Sequence, residues 1–131
     1  MNKMPEQWRP RYWILDADGR TPIGTQDLHE WARLCASQGE DAGGRRVGWD
    51  YDNERGITVS TTFMGIDHNY MPSGPPILFE TMIFGGPHDQ YTERYATWDE
   101  AERGHQRAMD LAGIKRKLET WIDGEQTDGQ P

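Results

Sequence analysis

The segments Ile57-Thr58-Val59-Ser60-Thr61-Thr62-Phe63-Met64 and Ile77-Leu78-Phe79-Glu80-Thr81-Met82-Ile83-Phe84 decide the fold. In the first, Ile57, Val59, Thr61 and Phe63 alternate with Thr58, Ser60, Thr62 and Met64, a period of two over β-branched residues, which is the pattern of a strand. The second is apolar on both faces, with Ile77, Phe79 and Ile83 on one side and Leu78, Met82 and Phe84 on the other. A strand of that kind is expected at the centre of a sheet covered on both faces. A loop rich in glycine and proline, residues 65–76, joins the two, and Gly85-Gly86-Pro87 ends the second.

Working outward, residues 45–52 alternate weakly, with Val47, Trp49 and Tyr51 on one side. Asp52-Asn53-Glu54-Arg55-Gly56 then reads as a hairpin turn into the strand at Ile57. Near the start, residues 11–16 read as a strand, Asp16-Ala17-Asp18-Gly19 as a turn, and residues 20–23 as the returning strand. Leu28, Trp31, Ala32 and Cys35 recur at helical spacing and predict a helix over 26–38. Thr25 offers the capping hydroxyl, Asp27 opposes the helix dipole and Gly39 suits the terminating position. Thr97-Trp98-Asp99-Glu100 is a capping box that opens a second helix running to about residue 119. Its apolar stripe reads Ala101, Ala108, Leu111, Ala112, Leu118 and Ile122, and Gly113 is a weak point worth about 1 kcal/mol. The expectation is an α+β domain over 11–122: a mostly antiparallel sheet of about five strands, in the order ββαβββα, with two helices packed on it. Residues 1–10 and the acidic stretch 123–131 read as flexible ends.

The 131 residues carry 14 Lys plus Arg against 22 Asp plus Glu, a formal charge of −8. That charge repels a phosphate backbone, which disfavours direct nucleic-acid binding, and attracts and steers basic proteins. Six Trp, five Tyr and three Phe are more than a disordered acidic chain carries, so the chain folds. A single cysteine, Cys35, excludes an internal disulfide and reads as a small core residue. No apolar run approaches the roughly 20 residues that span a bilayer, and residues 1–10 lack the apolar stretch of a signal peptide. The expected location is cytoplasmic, with no membrane partner.

Four residues stand out as candidates for chemistry. Glu80 interrupts an apolar strand, where a carboxylate is costly unless paired; it reads either as a structural pin or as a functional carboxylate. Asp67 and His68 leave the first strand and enter the long loop, a position typical of sites but also of turn chemistry. His105 lies on the apolar stripe of the second helix and reads first as a core histidine whose nitrogens are satisfied. The spacing of these residues is not that of a metal centre, and phosphate-loop and nucleophile-elbow motifs are absent from the sequence; no cofactor or metal is expected. A binding surface is the other candidate, built on the acids Asp50, Asp52 and Glu54 and the aromatics Tyr70, Tyr95 and Trp98.

Three segments resemble a family of small proteins encoded by phages and prophages, with the signature T-x-F-L-G-x-D-H, P-P-L-L-F-E-T-M and R-Y-x-T-W-x-E-A-x-x-G-H. They are residues 59–69, 76–86 and 95–105. The signature includes Asp67, His68, Glu80, Thr81, Thr97, Trp98 and His105. The resemblance implies a phage setting, hence the cytoplasm of a host cell, and assigns no catalytic role.

Three functions are compatible with these observations. The first is stoichiometric binding of a host protein with a basic surface, such as a component of host defence, through an acidic, aromatic-rich surface. The second is sequestration of a nucleotide-type signal, with aromatic rings stacking on a base and Arg9, Arg11, Arg94 or Arg103 meeting phosphate. The third is a hydrolase or lyase using Asp67, His68, Glu80 and His105. Homodimerisation is compatible with the first.

Overall fold

The computed structural model describes residues 9–37 and 45–115; the two ends read as flexible, the Gly39 cap and the stripe residues Leu118 and Ile122 lie wholly or largely outside that range, whereas the second helix, expected to run to about 119, ends inside it at Ala112. The elements run β1 (Tyr12–Leu15), β2 (Pro22–Thr25), α1 (Leu28–Ser37), β3 (Arg46–Asp52), β4 (Ile57–Phe63), β5 (Phe79–Phe84), β6 (Thr92–Tyr95) and α2 (Trp98–Ala112). The α+β class stands, but the single sheet of five strands does not. Among the described residues there are six strands in two antiparallel sheets, a β1-β2 hairpin and a four-stranded meander β3-β4-β5-β6.

The hairpin turn is built by Asp18, whose carboxylate accepts from the Arg20 and Thr21 backbone N–H groups and from the Thr21 hydroxyl. Those bonds, led by the Thr21 hydroxyl, hold its pKa at about 2. α1 begins at Leu28, two positions later than Thr25 would set it. Asp27 accepts from the N–H groups of His29 and Glu30 and is the capping side chain, while Thr25 accepts from the N–H of Asp27. α1 packs on β1, not on the larger sheet, and Tyr12 meets Trp31 edge to face at 5.0 Å.

In the meander, strand register sorts residues into transverse rows. Asp50, Val59 and Ile83 share one row, and Gly48, Thr61, Thr81 and Glu93 the next. Phe63, Phe79 and Tyr95 form a third. These rows form the inner face, under α2. The outer rows are Tyr51-Thr58-Phe84, Trp49-Ser60-Met82-Thr92 and Arg46-Thr62-Glu80-Arg94.

α2 starts at the capping box. Thr97 accepts from the Glu100 N–H, and the Glu100 carboxylate accepts from the Thr97 N–H in return. The helix ends where Gly113 turns left-handed, at φ 74°, a conformation glycine adopts without strain. Its buried stripe is Ala101, Gly104, His105, Ala108, Met109 and Ala112, whereas Leu111 is exposed. The small residues let the helix lie close to the sheet. A β-carbon at 104 would fall 1.9 Å from the Tyr95 hydroxyl, and one at 48 would fall 2.7 Å from the His105 ring.

Two apolar clusters form the core. One joins Ile57, Val59 and Ile83 to Ala108, Met109 and Ala112. The other joins Phe63, Leu78, Phe79, Tyr95 and Ala101, with Trp13, Leu15 and Trp98 against it. The expectation that β5 is covered on both faces fails. α2 covers the inner face, and on the outer face Trp49, Tyr51 and Phe84 are 43%, 48% and 46% exposed.

Candidate functional site

A polar seam separates the two apolar clusters, following the row Gly48-Thr61-Thr81-Glu93. Asp50 Oδ2 lies 2.7 Å from His105 Nε2, and His105 Nδ1 lies 2.7 Å from the Thr61 hydroxyl. Thr61 is hydrogen-bonded to Thr81. The Tyr95 hydroxyl lies 3.1 Å from the Thr81 hydroxyl and 3.0 Å from Glu93 Oε1. Glu93 also accepts from the Tyr91 hydroxyl and from Arg107. Thr61 and Thr81 are fully buried and His105 is 2% exposed. The strand alternation delivers the two threonines to the inner face, and the capping box fixes the helical phase that places His105 over Gly48.

Electrostatics within the seam follow from burial and partners. Burial first, and the neighbouring Glu93 charge after it, push the Tyr95 hydroxyl up to about 12. Burial works against a charge on Glu93, yet the bonds from Tyr91, Arg107 and Tyr95 outweigh it and hold the carboxyl below its ordinary value. The Asp50-His105-Thr61 order reproduces the connectivity of a nucleophilic triad. Thr61 is nevertheless sealed between β3, β5 and α2, and lines none of the described clefts. The arrangement can position side chains and conduct a proton; a substrate cannot reach its hydroxyl.

The long loop is organised by Asp67, which is 3% exposed. It accepts from the N–H groups of Asn69 and Ile77 and pairs with Arg9 at 3.1 Å. His68 Nδ1 lies 2.9 Å from the Ile66 carbonyl, and its ring meets Tyr70 edge-on. Beside this loop lies an open cleft of about 690 Å³, lined by Arg9, Arg11, Tyr12, Asn69, Tyr70 and Met71 among others. Arg11 holds its guanidinium 4.8 Å over the ring of Tyr70, which is 66% exposed.

The residues singled out in the sequence are therefore not gathered into one site. Glu80 stands on the outer face, paired with its cross-strand neighbour Arg94 at 3.0 Å. Asp67 and His68 belong to the loop, and His105 to the inner face. Of the proposed binding residues, Asp50 points inward to His105, Tyr95 is buried, and Trp98 packs edge-on to Phe79 in the core. Asp52 caps the β3-β4 turn and pairs with Arg55, which lowers its pKa. Glu54 and Tyr70 are exposed.

Sequence reasoning missed Thr61 as a partner of His105, and Thr81 and Glu93 as members of the same hydrogen-bonded seam. It also missed Trp49, Tyr51 and Phe84 as an exposed set. The period-two phase of β3 and β4 already put Thr61 with the inner residues; what it lacked was the register that aligns the threonines. Among the described residues no group of three or more His, Cys, Asp or Glu is placed to hold a metal ion, and no helix is long and apolar enough to cross a membrane. Comparison of the chain with protein-family models, with curated proteins and with solved structures finds no match.

Proposed function

We propose that the protein acts by stoichiometric binding of a protein partner, with the outer face of the β3-β6 sheet as the contact surface. The observation that carries this is the exposure of Trp49, Tyr51 and Phe84 at 43%, 48% and 46% on one sheet face, with half-buried Met82 between them in the register. Aromatic residues of this kind are the anchors of protein interfaces. The net charge of −8 and the exposed acid Glu54, in the turn beside Tyr51, favour a basic partner, while Arg46, 4.0 Å over the Trp49 ring, and Arg94 add two cations to the face itself. The phage resemblance supports a host protein as that partner, and a nucleic-acid-binding component of host defence has the required charge. A photo-cross-linker in place of Phe84 should capture one basic host protein, in a yield that falls as salt rises. The variant Trp49→Ser, Tyr51→Ser, Phe84→Ser should keep its fold and release that protein. A partner captured equally by this variant overturns the reading, and a cross-link to a second copy of the chain replaces it with a homodimer.

The Arg11–Tyr70 pair at the 690 Å³ cleft favours a second reading, capture of a ligand that joins a flat ring to an anion, such as a nucleotide. Titration with a panel of nucleotides should then perturb the Tyr70 ring resonances, and Arg11→Gln should abolish the effect. The hydrolase reading has the least support, because Asp67, His68, Glu80 and His105 stand in separate places.

A further inference from the structure

Five hydrogen bonds join Asp50, His105, Thr61, Thr81, Tyr95 and Glu93 end to end. Each bond needs one hydrogen. Thr61, Thr81 and Tyr95 supply one each, and a neutral imidazole supplies one more. Two ionised carboxylates at the ends supply none, so a chain with neutral His105 is one hydrogen short. The shortfall cannot be hidden at His105: an imidazole N–H directed at Asp50 leaves Nδ1 to accept from Thr61, and the gap moves to Tyr95. That hydroxyl can donate to Thr81 or to Glu93, not to both. The other bond would then join two lone pairs inside the protein, a costly arrangement.

Three ways of supplying the missing hydrogen exist, protonation of Glu93, of Asp50 or of His105, and of the bonded pair Asp50 and His105 the imidazole is by far the stronger base. Glu93 is held ionised by Arg107 at 2.9 Å and by the Tyr91 hydroxyl. His105 has a carboxylate 2.7 Å from one nitrogen and a hydroxyl oxygen 2.7 Å from the other. We infer that His105 is an imidazolium at neutral pH, with every bond of the chain running in one direction from the imidazolium to Glu93. Nδ1–H donates to Thr61, Thr61 to Thr81, Thr81 to Tyr95 and Tyr95 to Glu93, while Nε2–H donates to Asp50.

Around the ring, further elements contribute residues to the seam. Gly48 lies against the ring from β3. Thr61 and Thr81 approach from β4 and β5, and Tyr95 and Glu93 from β6. On its own helix, Arg107 is drawn to Glu93. The buried charge makes the seam the pH-sensitive element of the fold. Loss of the second imidazole proton reverses the direction of the threonine hydroxyls and leaves the bond between Tyr95 and one of its partners empty. A device of this kind ties the packing of α2, and with it the sheet that carries the outer face, to pH. It does not depend on the binding function proposed above.

The test uses the full chain and the nitrogen-15 shifts of the His105 ring. Both nitrogens are expected in the protonated range at pH 7, and a neutral tautomer at that pH overturns the inference. Tyr95→Phe removes a hydroxyl three links away without changing any charge. The shortened chain then has as many hydrogens as bonds with neutral His105, so the ring should give up its proton at a pH lower by about one unit or more, a tenfold effect. Thr81→Val shortens the chain in the same way and serves if Tyr95→Phe does not fold. An imidazolium that neither variant disturbs means that Asp50 alone holds the proton, and this overturns the chain-wide account.

Discussion

Phe79 and Phe84 are the same residue on the same strand, on opposite faces of one sheet. Phe79 is fully buried between Phe63 at 5.3 Å and Trp98 at 6.0 Å. Phe84 is 46% exposed. Thr61 and Thr62 repeat the contrast on β4: Thr61 links His105 to Thr81, and Thr62 stands in an open outer row. The inner face thus keeps a polar seam within its apolar core, and the outer face shows three aromatic rings among its polar residues, a departure from the usual division for a sheet with one solvated face. The buried seam is possible because each inward polar group has a partner on another element, so its burial is compensated. Outward, the Arg46 guanidinium lies 4.0 Å over the Trp49 ring, yet Trp49, Tyr51 and Phe84 stay 43%, 48% and 46% exposed, which is why the outer face is the one assigned to binding.

The largest expected effect separates the two phenylalanines. Phe79→Ala should cost about 3–5 kcal/mol, the range for an aromatic removed from a close-packed core. Phe84→Ala should stay within about 0.5 kcal/mol, as for other surface changes. Denaturant unfolding of the two variants measures the difference. Equal losses would mean that the outer face is covered, and the binding reading would go with it.

Next come the changes at the seam. Thr61→Val keeps the shape and removes the hydroxyl between His105 and Thr81, which should cost about 1–3 kcal/mol. Thr62→Val, one residue along, should be near neutral. Gly104→Ala drives a methyl group toward the Tyr95 hydroxyl and should cost about 1–3 kcal/mol by overpacking. The same measurement on Gly104→Ala in a Tyr95→Phe background should recover part of that loss, since the closest atom is then gone.

How much of this was legible depended on whether a residue's environment was local. The alternation of β4 and the capping box of α2 are local patterns and legible in the sequence; that Ile57, Val59, Thr61 and Phe63 are the inward set is shown only by the structure. β6 is not legible in the same way, because Thr92-Glu93-Arg94-Tyr95 carries two charges and no apolar alternation. Its charges are tolerated through cross-element pairs, Glu93 with Arg107 and Arg94 with Glu80, that no window of sequence contains. In the sequence Asp50 groups with the surface acids Asp52 and Glu54. Its neighbours Trp49 and Tyr51 have the opposite phase, so one of the two sets had to face the helix. Which set did so was decided by His105, far away in the chain.

Glu93 sharpens the contrast through pH. Its folded pKa is lowered, so its contribution to stability is present above the unfolded value of about 4.3 and is lost as pH falls through the folded value. Thermal unfolding should therefore show a smaller drop in Tm between pH 5 and pH 3 for Glu93→Gln than for the parent chain. An unchanged drop would mean that the bonds from Tyr91, Tyr95 and Arg107 do not favour the ionised form.

The smallest effect is expected at Glu80, the carboxylate that looked most out of place in the sequence. It lies across from Arg94 on the outer face, and the two side chains are 21% and 45% exposed. An ion pair of this exposure contributes little, because water and salt screen it and two long side chains must be held still. Glu80→Ala should therefore change stability by no more than about 0.5 kcal/mol. A buried structural pin would cost several times as much, as the seam variants should. Glu80→Gln should match Glu80→Ala in stability. The pair also borders the aromatic rows, in the row that holds Thr62 and Arg46. If a partner covers this face, Glu80→Gln should weaken capture modestly and change its salt dependence while leaving Tm alone. A Tm that falls by as much as in Thr61→Val would place Glu80 with the inner network and break the division between the faces.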